Sequence, residues 1–387
     1  MRIKMYKYLS IFIAVIFLTA CNATSENEPE AGADQNQEVE NPELAMETIT
    51  NEIDVPWGMD WLPDGDMLIT ARSGDLWLYS DGSLADEPVV GVPDVWARSQ
   101  GGLLDVNLHP DYEDNGWIYM TYSSPEGGGG ANTALMRAKL NDDRTELVDR
   151  EILYKAEPNT ERGQHFGSRI VFDNEGYVYF GIGDRGNRDE NPQDITRDAG
   201  KIYRLHDDGR IPDDNPFVGE SGAKEAIFAY GIRNPQGMDL HPETGQLWEH
   251  EHGPRGGDEI NIIEAGNNYG WPEISFGINY DGTEFTDDTA KAGMEQPEWY
   301  WDPSIAPSGM TFVTSDKFPE WKGDILVGSL KFGYVMHVDI ENGEVVGEEK
   351  IFEDIGRVRD VKQGPDGNIY VATETDKGII RISPEDE

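Results

Sequence analysis

His165 and Asp184 lie at equal distances from the centre of a turn between Asn174 and Glu175, beside Gly176. A chain that folds back there sets an imidazole against a carboxylate, because opposed residues of an antiparallel pair have Cβ atoms about 4.5–5.5 Å apart. Such a carboxylate fixes the imidazole tautomer and raises its basicity, leaving the second ring nitrogen to take a proton from a substrate. A purely structural His–Asp pair is the bland alternative, and it is the default for isolated histidines such as His109 or His337.

The same folding-back at Gly245 sets Arg233 opposite Pro254, beside Gly253 and Asn234. Guanidinium groups suit carbonyl or carboxylate oxygens, whereas carbonyls and carboxylates suit a hard cation such as calcium. One site could therefore hold an anionic ligand together with a metal. Lys331 follows the turn at Gly323, and Arg357 and Arg359 precede the turn at Gly367. In a chain with 31 basic residues against 75 acidic ones, cations converging at one end imply a bound polyanion. Taken singly, Lys331 or Arg359 reads as a surface ion-pair partner. Glu259 in GDEINII and Tyr269 in NNYGW extend the Gly245 unit and could serve a calcium site, although Glu259 alone reads equally well as a solvated loop acid. GDRGN follows a strand without opening a helix, which excludes a nucleotide fingerprint, and neither CxxC nor HExxH occurs.

The elements that must position these groups recur along the chain. Six stretches run into a Gly-bearing turn and straight back out, with turn glycines at Gly65, Gly116, Gly176, Gly245, Gly323 and Gly367. GMDWLPDGDMLIT, RIVFDNEGYVYFGIGD and DVKQGPDGNIYVATE are three of them, and each reads as a β-hairpin. Spacings of 51, 60, 69, 78 and 44 residues describe a repeat with variable insertions. Four-stranded antiparallel sheets repeated radially leave only short, protected edges, so the expected fold is all-β, a six-bladed β-propeller. METITNEIDV, residues 46–55, alternates like a strand and would complete the last blade beside GIIRIS. A split into two domains is the weaker alternative. Polar insertions such as GDRGNRDENPQDITRDAG fall in the long spacings, where loops carry function.

With 387 residues and 44 glycines, the chain suits one large, turn-rich domain. Arg2, Lys4 and Lys7 precede an apolar run, Leu9 to Ala20, that is too short to span a bilayer, so residues 1–20 are expected to be a signal peptide. Its end, Leu18-Thr19-Ala20-Cys21, has the form of a bacterial lipobox; a buried thiol in an uncleaved signal is the alternative. Cys21 is the only cysteine, which excludes an internal disulfide. Residues 21–45 are expected to be an acidic disordered tether, with seven Asp and Glu and no Lys or Arg after Cys21, and residues 46–387 the propeller. This predicts export to the cell envelope and contact with a membrane only through a lipid anchor at Cys21. A net charge of -44 argues against nucleic acid or an anionic membrane surface as partner. Adaptation to high salt and plain solubility account for that acidity equally well.

Taken together, SQGGLLDVNLHPDY, GQHFGSRIVFDNEGYVYFGIGDRGN, FAYGIRNPQGM, HEHGPRGGDEINII, NNYGWP, SLKFGY and RVRDV resemble the soluble pyrroloquinoline-quinone (PQQ)-dependent sugar dehydrogenases, the glucose/sorbosone and aldose sugar dehydrogenase group. The resemblance implies a six-bladed propeller with the quinone in a cleft at one end. It makes His165 the general base, Asp184 its partner, and Arg233 the arginine near the reactive quinone carbonyl, with Asn234 beside it. Gln100, Lys331, Arg357 and Arg359 match residues lining the cofactor, whose three carboxylates suit these cations. Gly253 and Pro254 match the backbone carbonyl ligands of a calcium ion that also holds the quinone, and Glu259 and Tyr269 match ligands of a further structural calcium. The implied activity is oxidation of an aldose at C1 to a lactone, with electrons passed to an external acceptor. There are departures: glucose-active members carry an aspartate where this chain has Gln164, and an aromatic residue where it has Met310. The interface calcium ligands of dimeric relatives find no match, so a monomer is expected. Two readings compete, an anchored propeller that binds carbohydrate or protein without redox chemistry, and a calcium-dependent lactonase that would need no converging cations.

Overall fold

The structure, a computed structural model, describes residues 41–385. The expected signal peptide, the lipobox at Cys21 and the tether as far as residue 40 lie outside the described residues. The described residues form a ring of six four-stranded antiparallel sheets. β1 (Leu44–Thr50) belongs to the last blade. Blade 1 is β2 to β5 (Pro56–Trp61, Met67–Ala71, Leu76–Ser80, Ser83–Leu84), and blade 2 is β6 to β9 (Leu103–Leu108, Ile118–Ser124, Asn132–Leu140, Leu147–Lys155). Blade 3 is β10 to β13 (Ile170–Phe172, Tyr177–Ile182, Lys201–His206, Ile227–Tyr230), and blade 4 is β14 to β17 (Pro235–Leu240, Leu247–Glu251, Asp258–Ile263, Trp299–Trp301). Blade 5 is β18 to β21 (Pro307–Phe312, Ile325–Ser329, Val335–Glu341, Glu344–Ile351), and blade 6 joins β22 to β24 (Val358–Gln363, Ile369–Thr373, Ile379–Pro384) with β1.

The ring closes where the sequence pattern places the closure. β1 pairs antiparallel with β24, from Leu44 opposite Pro384 to Thr50 opposite Ile379. The strand thus begins inside the stretch expected to be tether, because the ladder gives Leu44 and Ala45 backbone partners, and it stops well before Val55. The six glycine turns join the first two strands of each blade, although in blade 2 the turn is a short helix, α1 (Tyr112–Asn115), ended by Gly116 at φ 72. A left-handed residue at that position is the ordinary glycine C-cap.

Packing follows from period-2 alternation, since each blade buries both faces against its neighbours. Leu68 and Leu76 meet Val106 and Ile118 between blades 1 and 2. Trp248 and Ile260 meet Phe312 and Val327 between blades 4 and 5. Ala372 and Ile379 meet Met59 and Ile69 across the closure. Each fully buried side chain of this size contributes about 2 kcal/mol. Aspartates on the first strands add polar staples: Asp60 accepts the Leu108 N–H at 2.6 Å, and Asp239 accepts the Phe312 N–H at 2.9 Å.

In every blade the first strand leaves one end of the ring and the second returns to it. Residues just before the first strand and just after the second therefore share that end, which is where Gln100, His165, Asp184, Arg233, Gly253, Lys331 and Arg357 fall. Five of these inner pairs break register near the same end, at Pro56/Gly58, Leu103/Val106, Pro235/Gly237, Pro307/Met310 and Val358/Asp360. Bulges re-aim side chains and end pairing where a site is built.

Candidate active site

His165 and Asp184 touch, but not as ladder partners. The β10–β11 register runs only from Phe172 opposite Val178 to Ile170 opposite Phe180, and both residues lie beyond it. The expectation of a cross-strand pair is corrected here. Backbone at positive φ, 58° at His165 and 108° at Ser168, turns the chain out of the strand direction. The imidazole nonetheless reaches the carboxylate, Nδ1 to Oδ1 at 2.6 Å. Gln100 steadies the turn by accepting the His165 N–H on Oε1 at 2.7 Å.

Asp184 is 1% exposed and held from several sides. Its Oδ2 accepts the Trp271 indole N–H at 2.9 Å, its Oδ1 accepts the Gly186 N–H at 2.6 Å, and its own N–H donates to the Arg233 carbonyl at 2.7 Å. Burial pushes this carboxyl up, but the His165 bond and the His165 and Arg233 charges outweigh it, and the pKa ends below the ordinary value. For His165, burial is the largest influence and lowers the pKa; the nearby Arg233 charge adds to it, and together they overcome the pull of Asp184. The ring is therefore neutral at neutral pH. Nδ1 carries the hydrogen donated to Asp184, and Nε2 is left as the acceptor. No hydrogen bond to another described residue occupies Nε2.

Arg233, 5% exposed, donates from Nη1 to the His252 carbonyl at 2.8 Å and has no partner at Nε. It is thus bonded to His252 rather than set against Pro254 as expected, because the β14–β15 bulge shifts the pairing. Its guanidinium lies 5.2 Å from the centre of the Trp271 ring. Asn234 accepts the Gly167 N–H at 3.2 Å, linking blades 3 and 4. His165, Asp184, Arg233 and Pro254 line one open cleft of about 300 Å³, together with Gln164, Trp271 and Tyr280. A larger cleft of about 1150 Å³ opens at the opposite end, around Glu243 and Gly323, and contains none of these groups.

The remaining cations share that end but not that cleft. Arg357 and Arg359 both bind Glu374, with Nε–O distances of 2.9 and 2.8 Å, and Arg357 also donates to the Leu330 carbonyl at 2.9 Å. Lys331 donates to the Ser304 carbonyl at 2.9 Å and stays exposed. The Gly253 N–H donates to Asp258 at 2.8 Å. Glu259 sits on β16 opposite Glu251. Tyr269 donates its hydroxyl to the Ile262 carbonyl at 2.7 Å and accepts the Glu264 N–H at 2.8 Å, so that hydroxyl is already engaged.

Three contributors went unassigned from sequence. Trp271 stood inside the NNYGWP motif without a role. Glu374 follows Gly367 much as Asp184 follows Gly176, and that spacing could have revealed it. Arg185, in GDRGN, is fully buried and donates to the carbonyls of Gln164 and of Arg162, the latter at 2.7 Å. It braces the segment that carries His165.

An imidazole aimed by a carboxylate, next to a buried guanidinium with a donor to spare, suits removal of a proton from a hydroxyl whose carbon gives up hydride. Fold and site together define an oxidoreductase of the propeller class. Residues 53–382 match the Glucose / Sorbosone dehydrogenase family, and the chain belongs to it. It is 44% identical over 344 residues to the aldose sugar dehydrogenase YliI of Escherichia coli (strain K12), covering 88% of this chain and 92% of that one. It is 27% identical over 409 residues to the quinoprotein glucose dehydrogenase B of Acinetobacter calcoaceticus, covering 84% of each. It is also similar to the crystal structure of the soluble aldose sugar dehydrogenase from Escherichia coli in the apo-form, with a TM-score of 0.85, 43% identity, and coverage of 89% of this chain and 100% of that one.

Proposed function

We propose that the protein oxidises aldose sugars at C1 to lactones with the help of PQQ and calcium, and passes the electrons to an external acceptor. The observation that carries this reading is the 2.6 Å bond from His165 Nδ1 to Asp184, which leaves Nε2 free in a cleft that Arg233 also lines. A guanidinium that lines the cleft fits a quinone carbonyl or carboxylate oxygen. Lys331 and Gln100 would line the cofactor from neighbouring blades, Arg357 and Arg359 would add positive charge, and Asn234 would stand beside Arg233. The backbone carbonyls of Gly253 and Pro254 would hold the calcium, which takes oxygen ligands. When bound, PQQ supplies the acceptor for the hydride that leaves C1.

The chain's own part is proton management and placement. His165 Nε2 takes the proton of the anomeric hydroxyl as the C1–H bond breaks and the C1–O bond becomes a carbonyl. Asp184 stabilises the imidazolium that forms and keeps the ring from turning. Trp271 fixes Asp184 in turn and supplies an apolar wall to the cleft. Arg233 raises the cost of a positive charge on His165, which keeps the base unprotonated until substrate arrives. The quinone assignment draws support from the quinoprotein among the relatives, and the aldose assignment from the aldose sugar dehydrogenase. The setting we propose is an exported monomer, anchored in the cell envelope through a lipid on Cys21.

The test is to add PQQ and calcium to purified apoprotein and follow dye reduction with a panel of aldoses. Reduction with at least one aldose, lost by roughly a hundredfold in His165→Gln, is expected. A folded protein that reduces no dye with any sugar would overturn the reading in favour of a binding module.

A further inference from the structure

Between β11 and β12 the chain leaves blade 3 for the insertion GDRGNRDENPQDITRDAG, which carries Asp184 and Arg185 and lends Asn187 and Arg188 to the cleft. Residues 184–200 contain no strand or helix, so no ladder holds them. A segment of that kind opens locally unless side chains tie it down. At its far end β12 begins with Lys201, which is 0% exposed. A lysine cut off from water ordinarily sits against a carboxylate. Lys201 makes no ion pair with another described residue, because the acids beside it are engaged elsewhere. Asp198 accepts from the hydroxyls of Tyr154 and Tyr203 and pairs with Lys224 at 3.0 Å, and Asp194 accepts from Thr196.

The ammonium spends its hydrogens on the main chain instead. Nζ donates to the carbonyls of Asn191 at 2.6 Å, Ala199 at 2.8 Å and Pro192 at 3.1 Å. Three carbonyls match the three donors of an ammonium. Burial lowers its pKa to about 7, so the charged, fully donating form is the one present below that value. Ala199 holds φ 86°, a left-handed backbone that a residue with a Cβ rarely adopts. Strain of that sort persists only where the surroundings over-determine it. Two of the caged carbonyls belong to residues that reach the site. The Asn191 side chain donates from Nδ2 to the Asp184 carbonyl at 2.9 Å. The Pro192 carbonyl also accepts the Gly231 N–H at 3.0 Å, two residues before Arg233.

We propose that Lys201 is a positioning residue of this site: its ammonium, caged by the carbonyls of Asn191, Pro192 and Ala199, holds the insertion so that Asp184 meets His165 and Arg233 keeps its place. The force passes from the lysine to Asn191, from the Asn191 amide to Asp184, and from the Asp184 carboxylate to the imidazole. Through Pro192 and Gly231 the same cation steadies the turn that leads into Arg233. A compact ammonium suits a three-carbonyl cage, whereas the planar guanidinium fork does not. What is positioned is the proton-accepting pair of the proposed reaction, so the kinetic part of the test rests on that reading. The cage itself is tested without cofactor or sugar.

The experiment compares wild type with Lys201→Met, which keeps the length and loses the donors. In cofactor-free protein, hydrogen exchange over residues 184–200 should speed up by ~10-fold or more, while residues 67–80 of blade 1 exchange as in wild type. After loading with PQQ and calcium, kcat should fall by ~10-fold or more, with KM for the aldose within about twofold of wild type. Asp184 raises the His165 pKa, so an Asp184 that has drifted away should move the acid limb of kcat/KM to lower pH. A variant that merely folds less well would lose activity and keep that limb in place. Asn191→Leu spares the lysine and cuts only the link to Asp184, so it decides the matter if Lys201→Met does not fold; its acid limb should move the same way. Wild-type exchange over residues 184–200 in folded Lys201→Met would overturn the cage. An acid limb unmoved in the folded variants would overturn the positioning role. If wild type reduces no dye with any aldose, the proposed reaction falls, and the exchange result alone still judges the cage.

Discussion

The Arg185 guanidinium lies 3.4 Å from the centre of the Phe166 ring, and neither side chain reaches solvent. Burial lowers the arginine's pKa to about 9, so it remains charged at neutral pH. That charge is used on carbonyls: Arg185 donates to Gln164 and Arg162, immediately before a residue held at positive φ. Stacking and a planar donor fork are both needed, and lysine offers neither. Arg185→Lys should lower kcat by ~10-fold or more by loosening His165, while KM changes little. Steady-state kinetics with a saturating aldose checks this, and kcat within twofold of wild type would remove Arg185 from a positioning role.

Arg233 has a second role, visible in pH dependence. Burial, followed by the Arg233 charge, depresses the His165 pKa below the usual imidazole value. Since the base acts unprotonated, kcat/KM should hold steady from pH 8 to pH 7 and decline only below about 6.5. Arg233→Met removes the larger of the two charges that depress it, the other being Arg185, so the acid limb of the surviving activity should move to higher pH. A profile whose midpoint is the same in both proteins would contradict the electrostatic link.

Glu374 is the hub of the basic cluster. Its carboxyl is pushed up by burial, but Arg359 and Arg357 outweigh this and hold it below the ordinary carboxylate value. The stability this confers is fully present above the unfolded glutamate value near 4.3 and is lost as pH falls through the lower folded value. Arg359 is almost fully buried, so Glu374→Gln would leave it without a counter-charge. Breaking such a pair costs about 3 kcal/mol. Urea denaturation at pH 7 should show that loss, and the gap between variant and wild type should narrow as the pH is taken below 4.

How far the sequence could be read depended on what kind of contact was involved. Six glycine turns gave the blades, because a hairpin is local and its turn chemistry is printed in the chain. They also placed His165 near Asp184 and brought the cations to one end. They could not give the backbone between His165 and Ile170, since positive φ at a histidine and a serine has no compositional mark. Nor could they show that Arg357 and Arg359 share Glu374 rather than facing the cleft. Choosing that partner is a tertiary decision among 75 acidic residues. The burial of Glu249 and Glu251 on β15 was hidden for another reason. LWEHE reads as a strand with one polar, solvated face, and only the neighbouring blade turns that face into an interior.

The same acidity bears on the response to salt. A formal charge of -44 exceeds what local ion pairs neutralise, and much of it sits on exposed loops and turns such as Asp64, Glu113, Asp142 and Glu243. Unlike charges at close range are little affected by ions, whereas like charges spread over the surface repel at distances that a Debye length of about 10 Å at 0.1 M cuts off. Added salt should therefore remove more repulsion than attraction. The melting temperature should rise steadily from low ionic strength toward about 1 M potassium chloride, where the Debye length shrinks to about 3 Å. Potassium is the cation to use, because a calcium salt would add specific binding to screening. A melting temperature that is flat or falls across that range would mean the surface charge serves solubility alone. A continued rise would mark the fold as stabilised by a saline medium.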